Sequence, residues 1–443
     1  MQKRDIERIE NPEGTLDAVI YDCDELYALS LKQKDRAANI PPQPYYKVKG
    51  QTDTTPVFES RFEGGNLRRV VQVYQWEFDL IIRPDINTNG HTQWFYFSIS
   101  NTRAAQYKLN LINFQKPDSM YNYGMRPLIF SRVAARERGA GWLRTGENIC
   151  YYQNHLKRAK QNNKPYFTLT FTVELKHEND TVYFAYCYPY SYTDLRYDLA
   201  LMQRQPAVSR LMRRRALCQT LGGNECDLLT ISNFNSTSEE IRDRKGIVVT
   251  ARVHPGETNA SWMMRGFLAF ITGQSAAARY LRNNIVFKVV PMLNPDGVIN
   301  GNYRCSLAGV DLNRKYDVPC AVRNPTVFEV KMMAKKLLAN REIPLCIDLH
   351  GHSRKPNIFM YGCENGRPED PYYHHERVFP YMLFDNGNNF FSYRDCNFKV
   401  SKKKESCARV VYRKEMGIIN SYTMEASFAG TDFGKQKGGS SIH

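Results

Sequence analysis

From about residue 195 onward, short apolar runs alternate with stretches of helical spacing, and this alternation narrows the possible folds more than any other feature. The runs are "GIVVTARV" (246–253), "NIVFKVVPML" (284–293) and "IPLCIDLH" (343–350), with helical patterns at 258–272 and 325–340. A strand that is apolar on both faces must be covered on both, and helices between successive strands supply that cover. Residues 193–443 are therefore expected to form an α/β domain with a mixed, mostly parallel sheet flanked by helices. The lead-in "DLRYDLALMQRQPAVSRLMRRRALCQTLGG" reads as largely helical, interrupted by Pro206 and ended by Gly222 and Gly223. Its "RLMRRR" run reads as a solvated helix face. For helix 258–272, the apolar face is read as Trp262, Met263, Phe267, Phe270 and Ile271.

Upstream the grammar differs. "VYQWEFDLII" (73–82), "TQWFYFSIS" (92–100), "YKLNLINF" (107–114), "YFTLTFTVEL" (166–175) and "TVYFAYCYPY" (181–190) are rich in β-branched and aromatic residues. In the fourth run Phe167, Leu169, Phe171, Val173 and Leu175 alternate with polar residues, so one face is buried and the other wet. Strands without long intervening helices predict an all-β antiparallel sandwich over 56–192. Residues 1–55 show little periodicity and read as a tail or linker.

Bulk properties exclude several classes. No run reaches the roughly eighteen apolar residues of a membrane helix, and "MQKRDIERIE" lacks the apolar core of a signal peptide. Eleven cysteines without C-x-x-C pairs read as reduced thiols, pointing to the cytosol. A formal charge of +16 attracts polyanions. No helix-turn-helix or RNP-like motif accompanies it, so nucleic acid is not the expected partner. A membrane is not expected either.

Ligand sites in open α/β sheets lie at the carboxyl ends of strands. His254 follows one such run, and "HPGE" brings Glu257 to the start of the next helix; His350 ends another run. Two histidines and a carboxylate leave one tetrahedral position open, the donor set of a catalytic zinc. His352, His374 and His375 are alternative third ligands. The absence of an H-E-x-x-H helix excludes that protease class.

"HPGE", "NPDG" (294–297), "GVDLNR" (309–314), "DLHGH" (348–352) and "YTMEASF" (422–428) occur in order, after "FESRFEGGNL" (58–67), "HTQWFYFSISN" (91–101) and "CYPYSYTDL" (187–195). Together they resemble the zinc metallocarboxypeptidases, specifically the cytosolic carboxypeptidase branch that trims polyglutamate from tubulin, over about residues 55–435. The resemblance implies one zinc per chain on His254, Glu257 and His350, with Glu425 as general base and acid. It implies that Arg304 steadies the oxyanion, that Asn313 and Arg314 hold the substrate's terminal carboxylate, and that Arg409 pairs with a glutamate side chain. Lys402, Lys403 and Lys404 are read as steering an acidic tail or as a solvated basic face. The expected protein is a monomeric deglutamylase of acidic tails, cytosolic and in part microtubule-associated. The chain ends in "GKQKGGSSIH" shortly after Glu425, where family catalytic domains usually continue through another helix, so a shortened catalytic domain is expected. The alternatives are a catalytically impaired binder of acidic tails and a zinc amidohydrolase acting on N-acyl amino acids.

Overall fold

The computed structural model describes residues 15–32, 43–159, 161–366, 368–369, 371–387 and 390–433. They divide into two compact units, Met1–Tyr188 and Pro189–His443.

In the first unit, one sheet holds, in spatial order, Ala18–Asp22, Leu67–Tyr74, Glu77–Ile82, Ala105–Phe114, Lys164–Leu175 and Glu147–Arg158. The other holds Val57–Glu59, Tyr96–Ser100, Val182–Ala185, Leu128–Ser131 and Leu143–Arg144. Their inner faces meet through aromatic side chains: Phe58 lies 5.4 Å from Phe78, and Phe171 6.1 Å from Phe184. Such pairs add about 0.5–1.5 kcal/mol beyond the area they bury.

Three details differ from the sequence reading. The run 73–82 is the end of one strand and the whole of the next, turned at Gln75 and Trp76. Glu77–Ile82 pairs with Ala105–Phe114 in parallel, so the sandwich is not wholly antiparallel. Residues 1–55 are not all tail: Ala18–Asp22 pairs antiparallel with Leu67–Tyr74, burying Ile20 and Tyr21, and Cys23–Lys32 is helical. The run is short and flanked by charge, so only its partner strand reveals it. Residues 1–14 and 33–42 lie outside the described residues.

The second unit is built on a seven-stranded sheet. Its strands in chain order are β1 (Met212–Gln219), β2 (Glu225–Ile231), β3 (Lys245–Ala251), β4 (Ile285–Val290), β5 (Leu345–His352), β6 (Ile358–Tyr361) and β7 (Ser421–Ser427). The spatial order is β1-β2-β4-β3-β5-β7-β6, with β4, β3, β5 and β7 mutually parallel and the outer strands antiparallel. Helix Thr258–Thr272 covers one face, where Ala260, Met264, Leu268 and Ile271 pack on Val249, Val289 and Leu349. Helices Pro325–Leu338 and Ala408–Met416 cover the other, placing Val330, Leu337 and Val411 over Val248, Val290 and Cys346. Within helix Thr258–Thr272, Phe270 faces solvent, at 46% exposure, so the buried stripe is rotated from the one read in the sequence.

The stretch read as largely helical, interrupted by Pro206, is helical only over Tyr192–Arg204 and Pro206–Ser209; "RLMRRR" runs into edge strand β1. Arginine is a good helix former, and local propensity favoured the wrong element. Tertiary partners decide otherwise. Arg214 forks onto Asp227 of β2, Nε to Oδ1 at 2.7 Å and Nη2 to Oδ2 at 3.2 Å, while Arg213 lies 4.0 Å above the Phe234 ring.

Candidate metal centre and active site

From β3 the chain goes to β4 on one side, whereas β5 lies on the other. The crevice at the carboxyl ends of β3 and β5 is thus the switch point of the sheet, where ligands bind in open α/β folds. Beyond β3, Arg252 takes a left-handed backbone conformation (φ 59°) that costs a bulky residue about 1–3 kcal/mol. Its buried guanidinium holds the bend by donating to the carbonyls of Pro255 (2.7 Å) and Tyr190 (2.9 Å) and to Ser261 Oγ (2.7 Å). The turn closes with Glu257 N donating to His254 O at 3.2 Å. Gly256 is required because a Cβ there would meet the Tyr303 ring at 2.5 Å.

This bend points both side chains at β5. His254 Nδ1 lies 2.9 Å from Glu257 Oε1, and His350 Nδ1 lies 3.0 Å from Glu257 Oε2. All three side chains are buried, with donor atoms within 4.8 Å of one another. The opposite ring nitrogens are occupied by carboxylates: His254 Nε2 lies 3.0 Å from Asp311 Oδ1, and His350 Nε2 2.6 Å from Asp348 Oδ2. Both imidazoles are therefore oriented by an acid behind them with Nδ1 facing inward, which is how histidine ligands are braced in metal sites. Two imidazole nitrogens and a carboxylate are a donor set that zinc takes in catalytic sites. His352 is not part of it, since its Nδ1 accepts the backbone N–H groups of Arg354 and Lys355. His374 and His375 are exposed and lie outside the cluster.

Electrostatics match. Burial works against ionised Glu257, but His254 and His350 outweigh it and hold the carboxyl well below its usual range. Burial also opposes charging His350, yet Asp348 and Glu257 outweigh it and hold its pKa well above the usual value. The metal-free His350 is thus protonated near neutral pH and must lose that proton to bind a metal. Zinc uptake by stripped protein is expected to release protons near pH 7. Calorimetry in buffers of different ionisation enthalpy reads this directly, and heats independent of buffer would contradict the assigned state.

Two further substitutions probe the brace. Asp348, which also accepts the Thr250 hydroxyl at 2.7 Å, holds His350 from behind. Asp348→Asn is expected to weaken zinc about 10–100-fold and to shrink the proton release, as a competition titration would show. Gly351 N donates to Glu257 Oε2 at 3.0 Å, and a Cβ at Gly351 would sit 2.1 Å from Asn259 Oδ1 and 2.9 Å from the Phe428 ring. Gly351→Ala should therefore cost about 1–3 kcal/mol by overpacking. A thermal melt should fall together with zinc retention, and an unchanged melting point would show that the packing gives way freely.

Around this centre the remaining predicted residues converge. Glu425 on β7 is the register partner of His350 on β5, and of Phe359 on β6. Burial raises its carboxyl pKa, and Glu257 adds to the rise against His350, His254 and Arg409. Arg304 is pinned by Asp311 through Nε (2.8 Å) and Nη2 (2.7 Å) to Oδ2. Asn313 Oδ1 accepts the N–H of Ala408 at 3.0 Å, which turns its Nδ2 toward His350 Nε2 (3.4 Å). Arg314 Nη1 donates to Asn313 O (2.6 Å) and approaches Cys407 Sγ (3.0 Å). Arg409, on the helix that Asn313 caps, lies under the Tyr361 ring at 5.5 Å. Sequence reasoning did not single out Asp311, Asp348, Arg252 or Tyr361. The first two stood inside "GVDLNR" and "DLHGH"; for Asp348 a carboxylate two residues from a histidine on the same strand face was the available signal, and for Asp311 there was none.

With that geometry in view, comparison with known proteins is informative. A family model described as zinc carboxypeptidase matches residues 199–431, and one described as the cytosolic carboxypeptidase N-terminal domain matches residues 58–187. The chain belongs to the zinc carboxypeptidase family. It is 48% identical over 391 residues to human cytosolic carboxypeptidase 2, covering 88% of this chain and 43% of that protein. It is 49% identical over 389 residues to mouse cytosolic carboxypeptidase 3, covering 87% of this chain and 38% of that one. The chain thus spans less than half the length of these relatives. The crystal structure of a metallo-carboxypeptidase from Burkholderia cenocepacia shares the fold, with a TM-score of 0.68 at 22% identity over 84% of this chain and 90% of that one. Among the described residues no helix is long and apolar enough to cross a membrane.

Proposed function

We propose that this chain is a cytosolic carboxypeptidase with one zinc, which removes glutamates from the carboxyl ends of acidic protein tails or polyglutamate side chains, those of tubulin being the first candidates. The observation that carries the choice of glutamate is Arg409. It is 6% exposed, and no carboxylate pairs with it among the described residues. Its hydrogen bonds are long ones, Nε to Gly362 O at 3.3 Å and Nη1 to Thr423 Oγ1 at 3.4 Å. Glu425 is close enough for the two charges to act on each other, but no carboxylate among the described residues makes a direct ion pair with Arg409; a buried charge without such a partner is costly, and a substrate carboxylate would relieve that cost. The surrounding field agrees: Lys404 has its pKa lowered by burial and by Arg314, Arg304 and Arg409, so four cations crowd one region.

Zn2+, when bound, lowers the pKa of water from about 15.7 toward about 7 and polarises a carbonyl. The protein's own groups do the rest. Glu425 takes the proton of the attacking water and returns it to the leaving amine, a role suited to a carboxylate whose pKa burial has raised. Arg304, held rigid by Asp311, donates to the oxygen that gains negative charge. Arg314 forks onto the terminal carboxylate while Asn313 Nδ2 donates to it, and both are fixed by contacts with the start of helix Ala408–Met416. The test compares peptides that differ only in the last residue, several glutamates against the same tail ending in leucine. Rapid release of glutamate and slow release of leucine is expected. Binding of the acidic peptide by zinc-loaded protein with no release of either would favour a tail-binding protein instead.

A further inference from the structure

β1 and β2 place two cysteines face to face. Cys218 and Cys226 are direct partners in the antiparallel ladder, close to the hairpin that joins the strands. Residues opposite each other in this way have Cβ atoms about 4.5–5.5 Å apart. A disulfide needs about 3.5–4.5 Å. The remaining approach is small, and β1 is able to make it. It is the edge strand of the sheet and already carries a register shift between Ala216 and Cys218. We infer that Cys218 and Cys226 form a reversible cross-strand disulfide, a redox modification site outside the metal centre.

The two thiols are unequal in a way that orders the chemistry. Cys218 is partly exposed, whereas Cys226 is fully buried and lies 3.4 Å from the Met292 carbonyl. Contact with the Cys226 thiol lowers the Cys218 pKa, outweighing burial and the nearby carboxylates of Glu329 and Asp296. The same contact, with burial, pushes Cys226 well above its usual value. Cys218 is therefore the attacking thiol and Cys226 the resolving one.

With a small-molecule disulfide such as oxidised glutathione, the Cys218 thiolate attacks one sulfur, forms a mixed disulfide and expels one glutathione thiolate, which takes up a proton. Cys226 then loses its proton, attacks the Cys218 sulfur and expels the second glutathione. Two protein thiols are oxidised and one glutathione disulfide is reduced to two thiols, so atoms and electrons balance.

The bridge would close the base of a hairpin that supports the site. Thr220 Oγ1 and Asn224 Nδ2 donate to Asp296 Oδ1 at 2.5 and 2.8 Å, and Gly222 N donates to Oδ2 at 2.9 Å. Asp296 sits in the first turn of helix Pro295–Asn300, whose capping Asn294 donates to Val253 O, next to His254.

The experiment treats the purified chain with excess oxidised glutathione, alkylates remaining thiols in denaturant and digests with trypsin. No lysine or arginine lies between Arg215 and Arg242, so both cysteines fall in one peptide, 216–242. That peptide is expected to lose two hydrogens and resist alkylation, and to recover both thiols after treatment with dithiothreitol. In Cys226→Ser the reaction should stop at a glutathione adduct on Cys218; in Cys218→Ser, Cys226 should stay reduced. The exposed Cys150 and Cys320 report whether the oxidant acted. If they carry glutathione while peptide 216–242 keeps two alkylated thiols, or a lasting adduct on Cys218 in the unmutated chain, the proposal is wrong.

Discussion

Glu425→Gln is expected to lower kcat by about 10²–10⁴-fold, equivalent to about 3–5.5 kcal/mol of barrier, while KM and zinc content change little. The substitution keeps the shape of the side chain at its place opposite His350 and removes its capacity to accept a proton. Glu425 is not among the three clustered donors, so the metal should stay. Steady-state kinetics with a glutamate-ending peptide and a metal assay on the same sample check both halves. Turnover at the unmutated rate would remove Glu425 from proton transfer, and loss of zinc would make it a structural support of the centre.

The second large effect concerns choice of substrate. Arg409→Leu should cost about 2–5 kcal/mol in kcat/KM for glutamate-ending peptides, because the substrate carboxylate would be left buried without its partner. Leucine-ending peptides should lose far less, so the preference narrows or reverses. Thermal stability is expected to hold or rise, since a buried charge with no direct ion-pair partner has been exchanged for an apolar side chain. That combination separates a specificity role from a structural one: a variant that melts early and loses both activities equally would show that Arg409 only supports the fold through Gly362, Thr423 and Tyr361.

How much of this was readable from residues alone depended on the range of the determining contacts. His254 and Glu257 share one four-residue turn, and His350 sits at the carboxyl end of an apolar run; strand-end logic and donor chemistry nominated them, with His352, His374 and His375 open as alternatives to His350 until the order of the motifs chose among them. Glu425 followed from motif order, and its register opposite His350 explains why it belongs there. The braces were different. Asp311 reaches His254 from a separate loop, and Asp348 is recognisable as a brace only when its side chain is seen behind the imidazole. The Asp311 pairing has no local signature, and the two-residue spacing of Asp348 and His350 puts them on one strand face without showing that they touch. The same holds for edge strand β1, whose arginines looked helical until Asp227 and Phe234 were in place beside them. The strand Ala18–Asp22 was hidden for the same reason, since its partner lies some fifty positions away.

The most direct test of the whole account is a titration of metal-stripped protein with zinc, following glutamate release and bound metal in the same samples. Activity should be absent at the start, climb in step with bound zinc and level off at one ion per chain. Glutamate release from protein carrying no metal, or full occupancy by zinc with His350 replaced by alanine, would contradict the account at its centre.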